Sequence, residues 1–134
     1  MSPALIPALA AGESTMGAII EQGPQNWQII QQELGFGDIY LSGRWATNEK
    51  VSDVTIHARV VLEDTGESII SWTLCQPLSG QRWEVLLKDI PVGGLYRIET
   101  CMNHAETNGA IEWATRGDMI HHVGVGDLYV IAGQ

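Results

Sequence analysis

A chain of 134 residues with 45% hydrophobic content has the size and apolar share of one globular domain with a substantial core. Its 7 Lys and Arg stand against 16 Asp and Glu, a net charge of −9, and the few cations are scattered. That balance excludes a phosphate-binding nucleic-acid surface and argues against an anionic membrane face, while no stretch reaches the ~20 apolar residues of a membrane helix.

The opening MSPALIPALAAGESTMG has an apolar stretch broken by Pro3 and Pro7 and lacks a basic leading segment. It reads as part of an irregular arm over 1–25 and not as a signal peptide, which makes the cytoplasm the default compartment. NWQIIQQ (26–32) is the first predicted strand, and Gly35-Phe36-Gly37 breaks it. GDIYLSGRW (37–45) is the second, followed by the polar loop TNEKVSD. VTIHARVVLED (54–64) alternates most cleanly: Val54, Ile56, Ala58, Val60 and Leu62 face one way, and Thr55, His57, Arg59 and Glu63 the other, with Val61 the exception.

DTGE (64–67) predicts a hairpin turn with Gly66 at positive φ. SIISWTLCQ (68–76) returns as the partner strand, and PLSG (77–80) turns the chain again. QRWEVLLKDI (81–90) points Trp83, Val85 and Leu87 inward against Glu84 and Lys88. IPVGG (90–94) is a corner leading into LYRIETCMN (95–103). After the loop HAETNG (104–109), AIEWAT and MIHHV read as further strand-like segments before a final apolar run. Cys75 and Cys101 lie in strand-like segments, outside any CxxC spacing. They read as reduced, buried thiols in preference to an inter-sheet disulfide.

No long stretch keeps a 3.6-residue period, so helix is expected to be minor. About seven short strands with regular turns predict an all-β fold, a β-sandwich of immunoglobulin or fibronectin type III kind. Leu87, Ile90, Pro91, Gly93, Gly94, Tyr96 and Ile98 resemble the corner entering strand F of fibronectin type III domains, where a Tyr hydrogen-bonds back across the corner. Immunoglobulin-like and jelly-roll strand orders both fit these segments.

Several short motifs have bland readings. Arg116-Gly117-Asp118 is expected to be a turn bent by Gly117. His121-His122 on a strand point to opposite faces unless a bulge intervenes, which argues against a shared metal ion. Glu63, Asp64 and Glu67 lack the oxygen spacing of a Ca²⁺ loop. No activated nucleophile or acid–base pair stands out, and neither metal nor cofactor is expected. Of five tryptophans, Trp72 and Trp83 are expected in the core. Trp45 and Trp113 border loops and are the candidates for stacking on a sugar ring.

The ending GDLYVIAGQ carries the most specific signal. Gly126, Asp127, Leu128, Tyr129, Val130, Gly133 and Gln134 resemble the pattern G-D/E-V-W-V-x-x-G-Q-S-N-M, which leads to the nucleophilic serine of sialate O-acetylesterases and related SGNH hydrolases. Upstream, Gln28-Ile29-Ile30-Gln31-Gln32, Trp83-Glu84-Val85-Leu86-Leu87 and Gly93-Gly94-Leu95-Tyr96 resemble segments of the β-sandwich preceding that catalytic domain. Gln32 departs from the family's common Arg.

The resemblance implies a β-sandwich accessory domain over 26–123, with 124–134 as linker and first strand of an α/β catalytic domain. Residues 126–134, lacking that neighbour, are expected to fray or to pair as an edge strand or with another molecule. Gly133 and Gln134 would form the block before the nucleophile, the catalytic domain would be the partner, and these residues alone would have no catalytic activity. The alternative is an autonomous carbohydrate-binding module using Trp45 and Trp113.

Overall fold

The computed structural model describes residues 16–107 and 110–128, which form nine strands in two sheets. Period-2 alternation makes strands with one apolar face each, and two such faces must close on one another. The strands are β1 (Gly17–Gln22), β2 (Ile29–Gln31), β3 (Phe36–Ala46), β4 (Thr55–Leu62), β5 (Ser68–Leu74), β6 (Gln76–Leu78), β7 (Arg82–Pro91), β8 (Gly93–Asn103) and β9 (Thr115–Gly126). One sheet has the order β1-β3-β7-β6 and the other β2-β9-β8-β4-β5. Pairing is antiparallel throughout, except that β2 runs parallel to β9. The expected all-β sandwich is the observed one. The count exceeds the expected seven because β1 and the three-residue strand β6 add the two edges of the four-stranded sheet.

The core lies between the sheets. Ile39 and Leu41 of β3 and Trp83 and Leu87 of β7 meet Val60 of β4 and Ile98 of β8. Trp83 is 1% exposed, and its indole N–H donates to the Arg44 carbonyl at 2.9 Å, so the one polar atom of the largest core side chain is satisfied. Leu87 and Ile90 both reach the core although their spacing is odd. Asp89, at φ 62° and with its N–H held by the Asp38 carboxylate, makes a bulge that resets the alternation. At the β7–β8 corner Tyr96 is buried, and its hydroxyl donates to the Pro91 carbonyl at 2.6 Å, the back-bond expected of that corner. Burial also pushes the Tyr96 phenol upward, so it remains a protonated donor.

Several expectations are corrected. The arm assigned to 1–25 includes β1, which pairs with β3 and buries Ala18 and Ile19. Glu21 fixes it further, accepting from Arg44 at 3.4 Å and Arg82 at 2.6 Å. Gly43 lets β1 approach, because a Cβ there would overlap the Ile19 carbonyl oxygen. Arg116-Gly117-Asp118 is not a turn but lies inside β9. There a Gly117 Cβ would meet the Ala18 carbonyl oxygen at 2.6 Å, and the Asp118 carboxylate accepts the Ile20 N–H at 3.0 Å. AIEWAT contributes a 3-10 turn at Ile111–Trp113, and only Thr115 of it enters a strand. The assigned boundary after 123 is also too early, since Val125 is a core residue of β9.

Trp72 is not in the core. A register shift between β4 and β5 leaves Ile70 opposite Val60 on the inner face and turns Trp72 to the outer face. Both cysteines are free and buried. Burial pushes the Cys75 thiol up to about 12 and the Cys101 thiol up to about 11.

Candidate functional site

Three features outside the core gather chemistry-bearing side chains. The first is the place where the chain leaves the sandwich. Parallel pairing of β2 with β9 sets Gln31 beside Gly126, and the Gln32 N–H donates to the Gly126 carbonyl at 2.8 Å. The side-chain amides of Gln31 and Gln32 both donate to one Asp127 carboxylate oxygen at 3.0 Å. The Gln31 amide oxygen then accepts the Leu128 N–H at 2.9 Å. Gln32 also accepts the Gly35 N–H at 2.8 Å, so one side chain joins the β2–β3 turn to the exit.

The same end is apolar. Leu34, at φ 55° in the tight turn before β3, is 97% exposed. Phe36, Val92 and Leu128 are exposed with it, and the Val92 N–H donates to the Gly35 carbonyl across the two turns. In the sequence Gln31 and Gln32 carry part of the family resemblance, and nothing local marks them as a clamp. The missing information was the parallel pairing, which brings residues 31 and 127 together.

The second feature is the Glu63 carboxylate. It accepts the His122 N–H at 2.6 Å and the His122 imidazole Nδ1 lies at 2.8 Å, with His121 Nδ1 at 4.0 Å. A β-bulge at His122, φ 62°, brings both rings to one carboxylate instead of to opposite faces. Trp27 stacks on His122 with ring centroids 4.1 Å apart. Burial by itself would raise the Glu63 pKa, but hydrogen bonds and charge from His122, with a smaller contribution from His121, hold it below the ordinary carboxylate value. Among the described residues no group of three or more His, Cys, Asp or Glu is arranged to hold a metal ion.

The third feature covers the outer face of the five-stranded sheet. The Arg59 and Arg116 guanidinium groups lie over the Trp72 ring at 4.5 and 4.8 Å from its centroid. Glu99, nearly buried, takes Arg59 and Arg97 at 2.7 Å each. The ion pairs and the ring form a closed set in which Glu99 is satisfied.

The structure separates the two tryptophans singled out for sugar stacking. Trp45 is half-buried against the core, opposite Ala18 of β1. Trp113 is 75% exposed on its 3-10 turn. Their rings are not stacked on each other among the described residues. Gly133 and Gln134, with the rest of 129–134, lie outside the described residues. Among the described residues no helix is long and apolar enough to cross a membrane. No protein-family model matches the chain, and no curated protein matches it.

Proposed function

We propose that this chain is a non-catalytic accessory β-sandwich that packs against an SGNH-type carbohydrate O-acetylesterase domain continuing from its C-terminal segment. The observation that carries the reading is the clamped exit. Asp127 and Leu128 are held on β2 by Gln31 and Gln32, at the point where GDLYVIAGQ resembles the entry to the catalytic domain. A clamped exit sets the direction in which the following strand leaves, and the exposed Leu34, Phe36, Val92 and Leu128 give that end an apolar surface suited to a neighbouring domain. The strand order, together with the Tyr96 back-bond, supports an immunoglobulin-like sandwich. Within such an enzyme the sandwich supplies scaffold and interface. The nucleophile, its base and the oxyanion donors belong to the catalytic domain.

The coding sequence past codon 134 tests the reading first. Ser-Asn directly after Gln134 is expected, and a stop codon refutes it. In the longer protein, Phe36→Asp is then expected to uncouple the melting of the two domains. The same change in the isolated sandwich costs little because Phe36 is already exposed.

Trp113 favours the second reading, a carbohydrate-binding module, because its indole stands in water. Trp45 does not join it, so a platform built from that pair is not part of this reading.

A further inference from the structure

The segment between β1 and β2 is tied to β9 around its two histidines. The Trp27 N–H donates to the His121 carbonyl at 3.3 Å, and the Asn26 side-chain oxygen accepts the His121 N–H at 2.9 Å. The Gly124 N–H donates to the Gln28 carbonyl at 3.0 Å, and β2 begins at the next residue, Ile29. Trp27 is left-handed at φ 72° and 66% exposed, so its ring rests on His122 and not in a core pocket. The two rings lie 4.1 Å apart between centroids, with 21° between their planes.

His122 is held in turn by Glu63. One carboxylate oxygen accepts the His122 N–H at 2.6 Å and the other faces Nδ1 at 2.8 Å. An ionised carboxylate only accepts hydrogen bonds, so Nδ1 carries a proton and Nε2 is the nitrogen that titrates. A second proton on the ring turns a neutral hydrogen bond into an ion pair and the Trp27 stack into a cation–π contact. Both changes hold Trp27 more firmly as pH falls. The other charges on the neighbouring elements are engaged elsewhere. Arg97 of β8 is with Glu99, Glu21 of β1 with Arg44 and Arg82, and Asp127 with Gln31 and Gln32. Asp118 of β9 accepts from Ile20, and Asp64 and Glu67 pair with neither histidine among the described residues. His121 is the other titrating group that faces Glu63, from 4.0 Å.

We propose that Glu63, His122 and Trp27 form a proton-operated latch: a proton on His122 fastens the β1–β2 segment onto β9, and with it β2 and the Gln31–Gln32 clamp at the chain exit. Burial by itself would raise the Glu63 pKa, but hydrogen bonds and charge from His122, with charge from His121, hold it below the ordinary carboxylate value. The carboxylate therefore keeps its charge while the ring gains one. The latch loosens as pH rises through the range where histidines lose their proton, and it is lost as pH falls through the depressed Glu63 value. It acts within the sandwich, so its failure leaves the proposed function standing, and the reverse holds too.

The test is amide hydrogen exchange of the whole chain at about pH 5.5 and about pH 8, on either side of the histidine range. Rates are corrected for intrinsic exchange, and the Ile98 amide in β8 is the reference for global unfolding. The Trp27 and Gly124 amides are expected to open about threefold less often at the lower pH relative to Ile98, the size of a partly exposed ion pair gained. Glu63→Gln keeps an acceptor without the charge, and His122→Asn removes the titrating ring with a residue that tolerates the left-handed backbone. Each is expected to abolish the pH dependence. His121→Gln is expected to keep most of it, because that ring lies farther from Glu63 and is not the one stacked on Trp27. Equal opening at the two pH values in the unaltered chain overturns the proposal. So does a pH dependence that survives in Glu63→Gln and His122→Asn, or one that His121→Gln alone removes.

Discussion

Replacing Glu99 with Gln keeps the shape of the side chain and removes its charge from between two guanidinium groups. Arg59 Nε and Nη2 both lie 2.7 Å from one carboxylate oxygen and Arg97 Nε 2.7 Å from the other, while Glu99 is 8% exposed. A hydrogen bond to a charged group contributes about 1.5–3 kcal/mol. The arginine side chains keep 26% and 29% of their surface in water, so the low end applies, counted once for each arginine. The Gln oxygen retains one neutral-acceptor bond of about 1 kcal/mol, which leaves a loss of about 2 kcal/mol at pH 7. For a domain of this size that lowers Tm by roughly 6–8 °C.

The pH dependence is a sharper test. Burial by itself would raise the Glu99 pKa, but hydrogen bonds from Arg97 and Arg59 and their charges outweigh it and hold the group below 4.5. A carboxyl whose folded pKa is depressed stabilises the fold above its unfolded pKa, and that contribution is lost as pH falls through the folded value. Urea unfolding is therefore expected to show the full gap between wild type and Glu99→Gln at neutral pH, closing in the acid range below 4.5. A gap under about 0.5 kcal/mol at pH 7, the level of an exposed pair, refutes the reasoning. A gap that persists undiminished into acid refutes it too.

Tyr96→Phe removes the donor to the Pro91 carbonyl and is expected to cost about 1 kcal/mol in urea unfolding. An unchanged midpoint would mean that water replaces the bond without loss. Gly43→Ala pushes a methyl group into the Ile19 backbone and the Trp83 ring and is expected to cost about 1–3 kcal/mol. Hydrogen exchange is expected to quicken in β1 and not at the β4–β8 pairing, and uniform protection would count against the steric argument. Cys75 and Cys101, buried and shifted to about 12 and about 11, are expected to resist a disulfide reagent at pH 8 until urea is added. Fast modification of either thiol in the native protein would contradict their placement.

The amino-acid order alone determined the strand alternation and the corner, because both depend on neighbours close in the chain. Val54 to Leu62 and Trp83 to Leu87 show their inward faces by period-2 spacing, and Pro91 to Tyr96 contain donor and acceptor within one turn. The residues were legible at the exit too, but their partners were not. Gln31 and Asp127 are separated by 96 positions and meet only because a parallel pairing joins β2 to β9. Bulges at Asp89 and His122 and the register shift beside Trp72 moved side chains between faces. An added residue in a strand reverses every later side chain, and whether it is tolerated depends on the partner strand. Tertiary structure alone decided that Ala18 is core and Trp72 is not, and that two histidines share Glu63. Those placements depend on which distant backbones pack together, and periodicity along one strand carries no record of its neighbours.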